Sequence, residues 1–130
     1  MPTFDPVLIE EFGETGPQKF RLGLAEIELV QDATKTGIFA LPRALAGLLP
    51  ERPGIHDVRA PILYGLIGGG MKDTEAHALV RRVFDPGRGS PIRFVPLAAR
   101  IVDVTLDPPE AIKKNSNDTT ASDPAKAETA

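Results

Sequence analysis

The stretch YGLIGGGMKDT, residues 64–74, brings together glycines, a lysine and a threonine, the residue types that cradle phosphates. A phosphate-binding P-loop needs G-x-x-x-x-G-K-[ST], because its lysine reaches the outer phosphates and the next hydroxyl holds Mg²⁺. Four residues separate Gly65 from Gly70, but Met71 then stands in the lysine position. Lys72 is displaced by one, and Asp73 puts a carboxylate where phosphates would sit. The dinucleotide pattern G-x-G-x-x-G is not met either. Phosphate binding is therefore disfavoured. The simpler reading is structural: Gly68, Gly69 and Gly70 end one helix with left-handed backbone, and Asp73 or Thr74 caps the next. Gly65, inside the first helix, costs about 1 kcal/mol relative to alanine and points to a close helix–helix approach.

Other reactive constellations are thinner. His56 and His77 are the two histidines, and neither belongs to an H-x-x-x-H or H-x-x-E set that would hold a metal. The chain has no cysteine, which removes disulfides, thiolate ligands and a cysteine nucleophile. Glu10 and Glu11 are adjacent in a strand and point to opposite faces, and Glu26 and Glu28 diverge on a helix. No G-x-S-x-G elbow is present. Arg81, Arg82, Arg88 and Arg93 form a basic cluster, but Phe84 and Phe94 are its only aromatics, so nucleic-acid binding is disfavoured. The expectation is a protein that is not an enzyme and uses neither cofactor nor metal.

The elements that position these residues follow from periodicity. VLIEEF and QKFRLGL flank GETGP, and Phe20, Leu22 and Leu24 alternate with polar or small residues, which predicts an antiparallel β-hairpin. LAEIELVQDATKTG changes to helical spacing through Leu24, Ile27, Val30 and Leu29, with Gly37 as its left-handed cap. IFALPRALAGLLP predicts a short helix with Pro42 in its first turn. IHDVRAPILYGLIGGG predicts a third, capped by Asp57 or His56, with Pro61 near its start. TEAHALVRRVF gives a fourth, with Ala76, Leu79, Val80 and Val83 inward and Arg81 and Arg82 in solvent. PIRFVPLAARIVDVTL gives a fifth, kinked or split at Pro96. The fold class is thus mainly α, with a small N-terminal hairpin, about five short helices and a polar tail.

Hydrophobic residues make up 42% and charged residues 25% of the 130, a soluble globular composition for one domain. A net charge of −3 exerts no general pull toward nucleic acid or an anionic membrane. No apolar run approaches the roughly 20 residues of a membrane helix, and the N-terminus lacks the features of a signal peptide, so a cytoplasmic protein is expected. Residues 107–130 hold one large aliphatic residue, Ile112, and no aromatic. They are expected to form a disordered polar tail behind a folded domain over 4–106.

Three segments carry a family resemblance: FRLGLAEIELVQDATKTGIFAL, DVRAPILYGLIGGGMKDTEAHALVRRVFD and PLAARIV. Their order resembles the gene transfer agent family of phage-tail proteins, described as tail assembly chaperones and in some descriptions as tail tube components. The pattern covers roughly residues 18–103. The resemblance implies a cytoplasmic tail-morphogenesis factor in a prophage-like cluster, a chaperone whose partner is the tape measure protein or another tail protein. It implies a structural tail component retained in the particle as the alternative, and leaves homo-oligomerisation open. Such a chaperone needs an apolar groove that accepts helices. The third and fourth helices are its expected walls, with Ile62, Leu66, Leu79 and Val83 serving either the core or the groove. An apolar groove of this kind would bind with little dependence on salt.

Overall fold

The computed structural model describes residues 7–107. The tail expected over 107–130 lies outside the described residues, apart from Asp107. The order is β1 (Leu8–Glu11), β2 (Pro17–Phe20), α1 (Leu24–Thr34), α2 (Leu41–Leu45), α3 (Ile55–Gly68), α4 (Asp73–Val83) and α5 (Val95–Leu106). Five helices behind a two-stranded antiparallel hairpin is the expected fold class. A 3₁₀ turn over Gly13–Thr15 joins the strands, and Leu8 pairs with Phe20 and Glu10 with Gln18.

One core gathers the inner face of every element. Phe12 from the hairpin meets Phe20 of β2, Phe84 just after α4 and Phe94 from the turn before α5, with Phe84 and Phe94 stacked 5.0 Å apart. Aromatic rings bury more area than any other side chains, so this quartet ties the chain's beginning to its last third. Around it lie Val30, Leu41, Ile62, Leu66, Val83, Ile101 and Val102, all fully buried.

Hairpin and α3 meet backbone to backbone. The Arg21 N–H donates to the Gly65 carbonyl at 2.9 Å, an oxygen near the end of α3 that also accepts from the Gly69 N–H at 2.8 Å. That approach explains two of the three contiguous glycines. A Cβ on Gly68 would stand 1.9 Å from the Arg21 carbonyl oxygen, and one on Gly69 2.2 Å from that of Lys19. Left-handed backbone is confined to Gly70, at φ 118°. It closes a Schellman motif in which Gly70 N–H donates to the Ile67 carbonyl and Met71 N–H to that of Leu66. The expectation of left-handed geometry for Gly68 and Gly69 is thus corrected, since Gly69 has φ −79°. At Gly65 the close neighbour is Phe20 at 3.3 Å, with Ile101 of α5 at 3.6 Å. The crowding there comes from the hairpin before it comes from another helix.

Several local expectations are also corrected. α1 ends at Thr34 with Lys35 in left-handed backbone (φ 58°), two residues before Gly37. Its inward residues are Val30 and Thr34, with Ile27 and Ala33 partly covered, while Leu24 and Leu29 face solvent. The cap position of α3 is Gly54, and that of α4 is Lys72, with Asp73 at the first helical residue. Pro61 sits in the second turn of α3, where the N–H it lacks would have bonded within the helix. Pro96 falls in the first turn of α5, behind a 3₁₀ turn over Pro91–Phe94, which is the split that its position predicts.

Candidate functional site: a groove between two helices

A groove of about 680 Å³ opens on the surface with α3 and α4 as its walls. Its apolar lining includes Leu63 and Tyr64 from α3, Val80 from α4 and Phe84 just after it; Leu63, Val80 and Phe84 are core residues that present only an edge there. Ala33 from α1, Ile55 at the start of α3, and Pro86 and Pro91 from the loop after α4 close its ends. Arg59, His77, Arg81 and Asp85 stand among its lining. The two walls are joined by four residues, 69–72, a connection short enough to make them antiparallel neighbours.

The sequence names the walls, but the lining residues are different ones. Ile62 and Leu66 on α3, and Val83 on α4, are fully buried in the core, and Leu79 is 9% exposed in the same cluster. The residues that reach the groove include Leu63, Val80 and Phe84, each next in sequence to one of those four. One residue along a helix is a rotation of about 100°, so the groove lies along one flank of the apolar stripe. Gly65 is buried under Phe20, and Gly68, Gly69 and Gly70 form the end of α3 beside the hairpin, outside the groove lining.

The start of α3, which supplies Ile55 and Arg59, is fixed by a polar latch. Asp57 is 3% exposed and accepts from the Gly54 N–H at 2.7 Å, reaching back over the first turn from the third helical position. Arg52 grips both Asp57 oxygens, its Nε donating at 2.6 Å to one of them and its Nη2 to the other. The same Nη2 donates to the Thr36 hydroxyl and lies 3.4 Å from the Thr34 carbonyl, joining the end of α1 to the start of α3. Burial pushes the Asp57 carboxyl up, but the Arg52 hydrogen bond, the Gly54 N–H and the neighbouring positive charge outweigh it. The group is held below its ordinary value of 3.8. The sequence contains the acid of this latch as a helix-start signal, yet nothing in its spacing assigns Arg52 to it.

Elsewhere, Phe84 and Phe94 of the basic cluster are interior, with the Arg93 guanidinium 4.5 Å over the Phe94 ring. Large apolar side chains at Ile9, Leu24, Phe39, Leu48 and Ile92 are exposed at separate places along the chain. Among the described residues no group of acids and histidines is arranged to hold a metal ion, and no helix is long and apolar enough to cross a membrane.

The fold defines a small helical protein on an N-terminal hairpin, with a groove between paired helices. The family described as phage tail tube protein, GTA-gp10, matches residues 12–107, and the chain belongs to it. It is therefore a phage-tail-type protein of the gene transfer agent kind, and this membership implies interaction with other tail proteins. No curated protein and no solved structure matches the chain.

Proposed function

We propose that the protein is a non-enzymatic tail-assembly factor, a chaperone that holds a helical tail protein, the tape measure protein first among its candidates, until tube subunits assemble. The observation that carries this choice is the architecture, which among the described residues has two strands of four residues each on a body of five helices. A tube wall closed through sheets needs long strands with edges that pair between subunits, whereas a chaperone needs a soluble body with a surface for helices. The α3–α4 groove supplies such a surface. One observation favours a second reading, in which the protein stays in the particle as a tail component: the matching family is itself described as a tail tube protein.

Quantitative mass spectrometry of purified particles separates the two. The chaperone reading expects this chain to be absent or far below one copy per tube subunit. A stoichiometric, repeated copy number in finished tails would replace it with the structural one.

A further inference from the structure

We propose that the α3–α4 groove receives an amphipathic helix whose apolar stripe is flanked by Asp and Glu residues. This rests on the groove being the docking surface, as argued above, and adds the chemistry of its occupant. The shape argues for a helix. The walls are two helices, α4 runs for 11 residues or about 16 Å, and the apolar lining includes Leu63, Tyr64, Val80 and Phe84. Three turns of a third helix lie along such a trough with anchors at i, i+3 or i+4, and i+7. An extended segment there would face an apolar lining with unpaired backbone groups, while a helix satisfies its own.

Charge argues for acids. The chain as a whole carries a net charge of −3, yet residues 81–93 hold Arg81, Arg82, Arg88 and Arg93 against Asp85 alone, and of these Arg81 and Asp85 line the groove. Arg59 stands on the α3 wall and Arg81 on the α4 wall. Neither guanidinium has a salt bridge among the described residues, and Arg59 donates to His56 Nδ1 at 2.8 Å. Asp85 is turned to its own loop, where it accepts from the Gly87 N–H at 3.0 Å. His77 Nδ1 is engaged by Asp73, 2.9 Å from its carbonyl and 3.1 Å from its carboxylate. A carboxylate beside the incoming apolar stripe therefore meets a guanidinium with no acid of its own on either wall. A lysine in its place meets like charge. The salt-insensitive binding expected of an apolar groove gives way to one that weakens as salt rises.

The test titrates the full-length protein with two synthetic helical peptides of about 18 residues, long enough to hold a helix. They share one leucine stripe and differ only in flanks of Glu or Lys. Fluorescence anisotropy at low salt should show the Glu peptide binding at least ~10-fold more tightly, with the ratio shrinking as salt is added. Amide shifts should gather at Ile55, Tyr64, Arg81 and Phe84. Arg59→Glu with Arg81→Glu should invert the preference at unchanged melting temperature. Where the double reversal disturbs folding, Arg59→Gln with Arg81→Gln should bring the two peptides to parity. Equal affinities in the native protein, no binding of either peptide, or shifts away from the groove would each overturn the proposal. A tape measure protein that co-purifies equally with native and charge-reversed protein would overturn it too, while leaving the assembly role in place. A Glu preference without any such co-purification would keep the groove chemistry and remove the role.

Discussion

Gly68→Ala is expected to destabilise the fold by at least ~3 kcal/mol, a large share of the roughly 5–15 kcal/mol that holds a domain together. The new Cβ would stand 1.9 Å from the Arg21 carbonyl oxygen and 3.0 Å from its carbon. Both are backbone atoms, so no side-chain rotation relieves the clash. The Arg21 N–H bond to Gly65 that ties the hairpin to α3 must stretch or break. Gly69→Ala, at 2.2 Å from the Lys19 carbonyl oxygen, should behave alike. The neighbours give the scale. Gly65→Ala meets Phe20 at 3.3 Å but gains roughly 1 kcal/mol of helix propensity, so its net effect should be small. Gly37→Ala, whose nearest neighbour is the Gln31 side-chain oxygen at 4.0 Å, should stay within about 0.5 kcal/mol of native. Urea unfolding of the four variants checks the order. Equal stabilities across the set would mean that the hairpin does not rest on the end of α3.

Arg52→Ala should cost about 3 kcal/mol at neutral pH, because it leaves the Asp57 carboxylate buried with the Gly54 N–H as its remaining partner. The pH dependence distinguishes this from a loss of packing. In the native protein the folded value of Asp57 is depressed. The stability it contributes is therefore full above the unfolded carboxylate range, about 3.9, and is lost as pH falls through the folded value. Without Arg52, burial acts on the carboxyl with less to oppose it, and its folded value rises. The variant then sheds its penalty as protonation neutralises the buried charge. The stability gap between native and variant should narrow as pH falls below about 4. A gap independent of pH would show that Arg52 acts through its hydrocarbon stem.

What was legible in the sequence was what repeats. The 3.6-residue spacing of Ala76, Leu79, Val80 and Val83 predicts the inner face of α4, and all four are buried. The alternation through Phe20 and Leu22 finds the hairpin arm, but overruns it, because Leu24 already belongs to α1 and is 74% exposed. Periodicity leaves open whether Ile62 and Leu66 serve the core or a groove; both are fully buried in the core, and Leu63 and Tyr64 are among the groove's lining. The glycines mark a special backbone, but composition does not separate a left-handed residue from one pressed against another chain segment. Gly70 is of the first kind, and Gly68 and Gly69 are of the second. Lys35 shows the converse, since a helix can end in left-handed geometry on a residue that bears no mark of it. The latch ties Arg52, in the loop before α3, to Asp57 in the first turn of α3 and to Thr36 just after α1, which no local pattern encodes.

Co-expression tests most directly whether this protein keeps a helical tail protein soluble, as proposed. A tape measure protein of a gene transfer agent is produced with and without the native chain, and its soluble fraction is measured together with the recovery of a complex. The expected result is a predominantly insoluble client alone, and in the presence of this protein a soluble client held in a recoverable complex. Equal insolubility in both cultures, with no complex recovered, would contradict it and leave a structural tail component as the better description.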